Sequence, residues 1–406
     1  MTMYDNVEIP YGAYWSTPFA KWQGSFAHLH SIQFAAHVAK RELLARQIDA
    51  RRLAFCVLGA TVPQYRAFWG APWLMSALGA PAVGGPTVSE ACATGTRSLC
   101  VAANMIAAGE GSIGLVVGAD RISSTPHVYY PAPHARGGVG QHEDWAVDAM
   151  FGGDPSTGQD MLQTAENVAR RWDIGLAEQH AVVLRRYEQY QNARASSAAF
   201  QRRYMTLPFA VPDATFSKTH SVIEGDEGVF ATTREGLTRL KPVQDGGTVT
   251  YASQTHPADG NAGLIVVTGE HARDLSRDPA IQIKIVGFGA ARAEPALMPA
   301  APVGATRAAL RASALTIQDM RAIKSHNPFA LNDIVFAKEF DLDCDSMNNY
   351  GCSLIFGHPH AATAVRQIIE LIEELVTVGG GYGLFHGCAA GDMGMAAIVH
   401  VGDRRQ

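Results

Sequence analysis

The chain lacks a basic excess, a cysteine framework and any long uninterrupted apolar run, and each absence removes a class of protein. Its 33 lysines and arginines are outnumbered by 38 aspartates and glutamates, for a formal charge of −5. No dominant positive field exists to gather phosphates, so nucleic-acid binding is not expected. The six cysteines (56, 92, 100, 344, 352 and 388) include no Cys-x-x-Cys pair. A structural zinc site is therefore not expected, nor is a disulfide framework in a chain of 406 residues. The first residues, Met1-Thr-Met-Tyr-Asp-Asn, carry neither a basic nor an apolar stretch, so no signal peptide is expected. Apolar stretches are broken by Gly, His or charge well short of the roughly 20 residues that cross a bilayer. These readings lead to the expectation of a soluble cytoplasmic protein with no membrane contact.

What is present is an ordinary globular composition, 47% hydrophobic and 17% charged, long enough for two or three domains. Helical spacing predicts an amphipathic helix and its exit over Ser31 to Leu53, and helices over Tyr65 to Leu78, Gly95 to Gly109, Val303 to Ala314 and Ala361 to Val378. The region Ile317 to Ile323 also reads as helical. Short β-like runs fall at Leu53 to Gly59, Ile113 to Gly118, Gly263 to Thr268, Ile281 to Phe288, Tyr382 to His386 and Ala396 to Val401. From Arg121 to about Leu240 Pro, His, Gly and charge become frequent, with polar-faced helices at Met161 to Asp173 and Leu176 to Asn192. That stretch reads as an insertion on the surface of the core.

The two flanking parts rhyme. Each has a strand, a small-residue turn bearing a reactive side chain (Cys92 or His358), a long buried helix and further β structure. Duplicated α/β halves related by a pseudo-twofold axis would bring those turns together at the interface, where ligand pockets commonly lie. In Val88-Ser-Glu-Ala-Cys-Ala-Thr-Gly-Thr-Arg-Ser-Leu, Cys92 sits among small residues just before a helix. Unpaired N–H groups and the macrodipole at such a position favour a thiolate. Gly357 and Pro359 fix a rigid turn around His358. A second cysteine lies in Gly387-Cys388-Ala-Ala-Gly-Asp-Met-Gly394, and a second histidine in Ser325-His326-Asn-Pro-Phe-Ala330. Cys56, Cys100, Cys344 and Cys352 fall in no motif and read as buried, inert thiols. No Walker or dinucleotide motif is present, since Gly379-Gly-Gly381 lacks the strand-turn-helix setting.

Together these segments resemble the thiolases, over nearly the whole chain from about Ile9 to Val401. Cys92 with its following helix resembles the nucleophile segment, and Asn348…Gly357-His358-Pro359…Thr363 the histidine loop. Cys388 resembles the second, acid-base cysteine. The resemblance implies a duplicated five-layered α-β-α-β-α fold with an inserted loop domain. Its halves would be residues 1–121, completed by 245–272, and 273–406, with the loop domain at 122–244. It implies cleavage of a 3-oxoacyl-CoA by CoA, or the reverse Claisen condensation, through an acyl-cysteine. CoA is a substrate and no cofactor or metal is held permanently. Cys92 would be the nucleophile, His358 its base, Cys388 the acid and base, and His326 a donor to the thioester oxygen. The backbone N–H groups of Cys92 and Ala390 would form the second oxyanion site, and Met161, Thr255 and Phe329 would contact substrate.

Two departures stand out: Cys388-Ala-Ala where thiolases have Cys-x-Gly, and His326 where many have Asn. The His326-Asn-Pro-Phe run resembles a branch whose members work with a small zinc-ribbon and OB-fold subunit. That branch includes the benzoylsuccinyl-CoA thiolases of anaerobic toluene breakdown, which yield benzoyl-CoA and succinyl-CoA. A homodimer is also implied. Two alternatives stay open from the sequence: a non-catalytic thiolase-like acyl-CoA-binding subunit, and a ketosynthase-type condensing enzyme, which would use two histidines, or a histidine and an asparagine, in place of Cys388.

Overall fold

In the computed structural model, which describes residues 3–149 and 152–405, one bent eleven-stranded sheet organises the chain. Its main strands are β1 (Val7–Glu8), β2 (Phe55–Gly59), β3 (Thr87–Val88), β4 (Ile113–Arg121), β5 (Ala258–Thr268), β6 (Ile281–Arg292), β7 (Met320–His326), β8 (Gly381–Ala389) and β9 (Met393–Asp403). They run in the order β7-β8-β9-β6-β1-β5-β4-β2-β3, and Tyr14–Ser16 and Ala20–Lys21 add to β5. β1 joins the two halves of the sheet by pairing with β5 on one side and β6 on the other. β4 and β5 are buried on both faces, which is why Ile113 to Ala119 and Ala262 to Val267 read as near-continuous apolar runs.

The principal helices are α1 (Ser31–Ala45), α2 (Gly70–Leu78), α3 (Thr94–Ala107), α4 (Met161–Arg171), α5 (Leu176–Ala198), α6 (Ala301–Ser313), α7 (Ala330–Phe340) and α8 (His360–Thr377). Helices α1 and α2 cover β2 and β4, α6 covers β6 and β9, and α3 and α8 lie between the two halves of the sheet. The result is the α-β-α-β-α order. Helix α8 touches β4, β5, β7 and β8, and every residue from Ala361 to Leu375 is buried. Its polar residues are paired accordingly. Arg366 bonds Asp226 at 2.6 and 2.9 Å and Glu370 at 3.0 Å, and Glu373 accepts from Tyr14 at 2.7 Å. The close approach of α8 depends on glycine: a Cβ at Gly118 would lie 2.3 Å from the Ala361 carbonyl oxygen.

Two sequence expectations are corrected. Ile317 to Ile323 is not helical. Ile317–Asp319 is a single 3-10 turn capped by Thr316, and β7 begins at Met320. A short apolar run is ambiguous between helix and strand, and here the parallel partner β8 decides it. Tyr65 to Leu78 is helical only from Gly70, whose positive φ of 44° separates α2 from a 3-10 turn at Ala67–Trp69. Tyr65, Phe68 and Trp69 are exposed, so this aromatic cluster is not core within a single copy of the chain.

Between Arg121 and Tyr251 the chain leaves the sheet and forms two small hairpins together with α4 and α5. Helix α5 packs on α7. At that contact Arg186 and Asp333, both fully buried, meet at 2.9 Å. Asp333 also accepts from Ser325 Oγ at 2.6 Å, Asn327 Nδ2 at 2.7 Å and Asn348 Nδ2 at 3.1 Å. One buried carboxylate thus ties the excursion to the turn after β7 that carries His326.

Candidate active site

Cys92 lies in the turn between β3 and α3. Ala91 takes a left-handed backbone conformation, φ 45°, which costs a residue with a Cβ about 1 kcal/mol or more. Thr94 holds the turn: its Oγ1 accepts from the Glu90 N–H and donates to the Ala91 carbonyl, both at 2.7 Å. The expected thiolate is not the resting state. Burial pushes the Cys92 thiol up to about 12, against the pull of backbone N–H groups of Ala390 and of Cys92 itself, which face the sulfur. Desolvation outweighs the helix end because α3 begins two residues later, at Thr94.

His358 follows Gly357, whose φ is 90° and where a Cβ would meet His256 Nε2 at 2.7 Å. The His358 N–H donates to the His256 carbonyl at 3.0 Å, and Nδ1 is bonded to Thr363 Oγ1 at 2.7 Å. His326 closes β7, with Nδ1 bonded to Ser353 Oγ at 2.9 Å. In both rings Nε2 is buried without a partner. The rings stack with centroids 4.0 Å apart, tilted by 25°. The Cys92 sulfur and one nitrogen of each ring all lie within 4.8 Å of one another.

Burial holds His326 down to about 3, helped by the nearby His360 and His386, and burial likewise drives His358 well below its ordinary value. The resting site is a neutral thiol facing two neutral imidazoles. Those same three side chains are the group among the described residues whose donor atoms could share a metal ion. A metal there would occupy the thiol and one nitrogen of each ring at once.

Cys388 lies on β8 beside His326, through the pairing of His326 with Gly387. Burial and the neighbouring Cys92 both raise its pKa, while Asn332 Nδ2 donates to its sulfur at 3.2 Å. Ala389 and Ala390 need no left-handed backbone here: the positive angles fall on Gly391 (φ 78°) and Asp392 (φ 57°). Ala390 thereby keeps its N–H facing the Cys92 sulfur.

The chain matches the thiolase N-terminal domain over residues 13–270 and the thiolase C-terminal domain over residues 280–401. The chain belongs to the thiolase family. It is 30% identical over 318 residues to an acetyl-CoA acetyltransferase of Chromobacterium violaceum, covering 77% of this chain and 79% of that protein. It is 28% identical to the beta-ketothiolase BktB of Cupriavidus necator, over 94% of this chain and 96% of the relative. The acetyl-CoA acetyltransferase structure from Bacillus anthracis superposes with a TM-score of 0.87 at 25% identity, covering 98% of this chain and 99% of that one. The thiolase fold is therefore present, and the chain is a thiolase-type acyltransferase.

The thiolase site opens into a cavity of about 520 Å³. Met161, at the start of α4, lines it together with Thr255 and Phe329, so all three residues expected to contact substrate share a cavity wall with Cys92. The Thr255 hydroxyl is already committed, donating to the Ser353 carbonyl at 2.5 Å. The sequence reading gave no role to Asn332, Ser353 and Thr363, which hold Cys388, His326 and His358. It also missed Trp145, Tyr251 and His360 on the cavity wall. Asn332 and Thr363 lie inside the recognised segments, three residues past Phe329 and five past His358. Trp145 and Tyr251 carry no such signal. No helix among the described residues is long and apolar enough to cross a membrane.

Proposed function

We propose that the chain cleaves 3-oxoacyl-CoA thioesters with CoA, or runs the reverse Claisen condensation, through an acyl group on Cys92. The observation that carries this reading is the convergence of the Cys92 sulfur with the free nitrogens of His358 and His326. His358 takes the thiol proton, and the thiolate attacks the C3 carbonyl of the substrate. The oxygen of that adduct collects negative charge, which the N–H groups of Cys92 and Ala390 receive. The C2–C3 bond breaks, leaving the acyl group on sulfur and an enolate on the departing thioester. His326 and His358 donate to the enolate oxygen, and Cys388 protonates its carbon. Cys388 then takes the proton of incoming CoA, whose thiolate displaces the acyl group and frees Cys92. Removing one positioned oxyanion donor typically raises the barrier by about 3–4 kcal/mol.

A bulky acyl group is supported by the aromatic and thioether lining of the cavity, Trp145, Tyr251, Phe329, Met161 and Met298. Benzoylsuccinyl-CoA is the particular substrate that the His326-Asn-Pro-Phe run brings forward. The same run supports a small zinc-containing partner subunit. A homodimer is supported by β3, which ends the sheet with an unpaired edge. Steady-state assay against 3-oxoacyl-CoA esters of graded size, benzoylsuccinyl-CoA included, with and without co-expressed neighbouring proteins, tests the first two, and sedimentation of the purified chain tests the homodimer.

The ketosynthase reading also has an observation behind it, since Cys92 faces two imidazoles. It differs in needing no second thiol. Loss of carbon–carbon cleavage in Cys388→Ala supports the thiolase reading, and retention supports the other.

A further inference from the structure

His360 is used in none of the steps above, yet it lines the cavity beside Cys92 and His358. Its ring centre is 4.8 Å from that of His358. On its other side Nδ1 is 2.8 Å from Thr61 Oγ1, which lies 3.0 Å from Asp120 Oδ2. Asp120 is buried and fully engaged. Its Oδ1 accepts from the N–H groups of Thr61 at 2.8 Å and Val62 at 3.0 Å, and its Oδ2 accepts from the Ala361 N–H at 3.0 Å. A hydroxyl bonds more strongly to a carboxylate than to a neutral imidazole. The Thr61 proton therefore goes to Asp120, and the Thr61 oxygen is left to accept from His360 Nδ1–H. That fixes the tautomer: Nε2 carries a lone pair and faces the cavity. Thr61 lies two residues past Gly59 on β2 and Ser89 one past its partner Val88 on β3, so both line this wall with His360.

We propose that His360 selects acyl groups bearing a hydroxyl, which donates to Nε2. This rests on the reading of the cavity as an acyl site. Apolar contacts discriminate weakly between acyl chains, whereas an unpaired polar atom on the cavity wall penalises a chain that leaves it unmatched. A carboxylate, having no proton to give, gains nothing from an acceptor here. The carboxyl of a benzoylsuccinyl group would therefore not be recognised at this position, so a hydroxylated acyl group and benzoylsuccinyl are alternatives for this site.

The test uses the full chain carrying Cys92→Ala, so that binding is read without turnover. Calorimetry measures Kd for 3-oxohexanoyl-CoA and for its 4-, 5- and 6-hydroxy forms, with His360 intact and as His360→Leu or His360→Asn. With His360 intact, one hydroxy form should bind roughly tenfold or more tightly relative to the plain chain. His360→Leu should abolish that ratio, and His360→Asn, which keeps an acceptor, should restore part of it. A ratio unchanged in His360→Leu, or no preference for any hydroxy form with His360 intact, overturns the proposal. Equal weakening of all four ligands by His360→Leu also overturns it, because the ring would then serve the shared pantetheine arm or the fold. Absence of turnover in the wild type, with the binding ratios as expected, would overturn the thiolase reading and leave this one standing.

Discussion

His326 and His358 stack face to face at 4.0 Å, each anchored through Nδ1 to a different hydroxyl, Ser353 for one and Thr363 for the other. Anchoring one nitrogen on a hydroxyl directs the other toward the sulfur. Two imidazoles this close cannot both be charged, and burial keeps both neutral. Only when a substrate oxygen gains charge between them does a proton on Nε2 acquire a strong partner.

His326→Ala should lower kcat by about a hundredfold or more with little loss of fold stability, the scale of losing a positioned donor. Ser353→Ala should lower kcat less, because the ring stays but its orientation is freed. Steady-state kinetics beside thermal unfolding checks both, and a normal kcat in His326→Ala would make His326 structural.

Cys388→Ala should still accept an acyl group onto Cys92 from a simple acyl-CoA. It should lose exchange of the α hydrogens with solvent deuterium, since no other thiol is positioned to move that proton. Exchange at the wild-type rate, followed by NMR, would remove Cys388 from the mechanism.

A thiol raised to about 12 is almost wholly protonated at neutral pH. Below its pKa the thiolate fraction grows tenfold per pH unit, so alkylation of Cys92 by iodoacetamide should climb roughly tenfold per unit from pH 7 to 9 without levelling. A plateau beginning near pH 6 would instead reveal a resting thiolate–imidazolium pair.

Arg186→Leu leaves the Asp333 carboxylate buried without its cation, and breaking such a pair typically costs about 3–5 kcal/mol. Because Asp333 also receives Ser325, Asn327 and Asn348, activity should fall along with stability as the His326 turn loosens. Urea unfolding and kcat read the two effects, and a stability change under about 1 kcal/mol would show that the network is not needed.

The sheet halves and the buried helices were legible because β4, β5 and α8 are enclosed on all sides and so carry dense apolar runs. Cys92 and His358 drew notice because small residues force a turn around each, and Cys388, on β8, because glycines lie on either side of it. Ile317 to Ile323 was misread as helical because so short a run fits helix or strand alike, and the strand that begins at Met320 exists by pairing with β8. Asn332, Ser353 and Thr363 are ordinary residue types whose roles come from which ring or sulfur the fold sets beside them. The state of Cys92 could not be read from its place near a helix end, because enclosure by other parts of the chain decides it.

The central claim is that Cys92 carries the acyl group. The most direct measurement is mass spectrometry of Cys388→Ala, quenched in acid after mixing with a simple acyl-CoA and digested. The account predicts one acyl adduct, on the peptide containing Cys92, and none in a protein that also carries Cys92→Ser. An adduct on any other residue, or its persistence in that double variant, would contradict it.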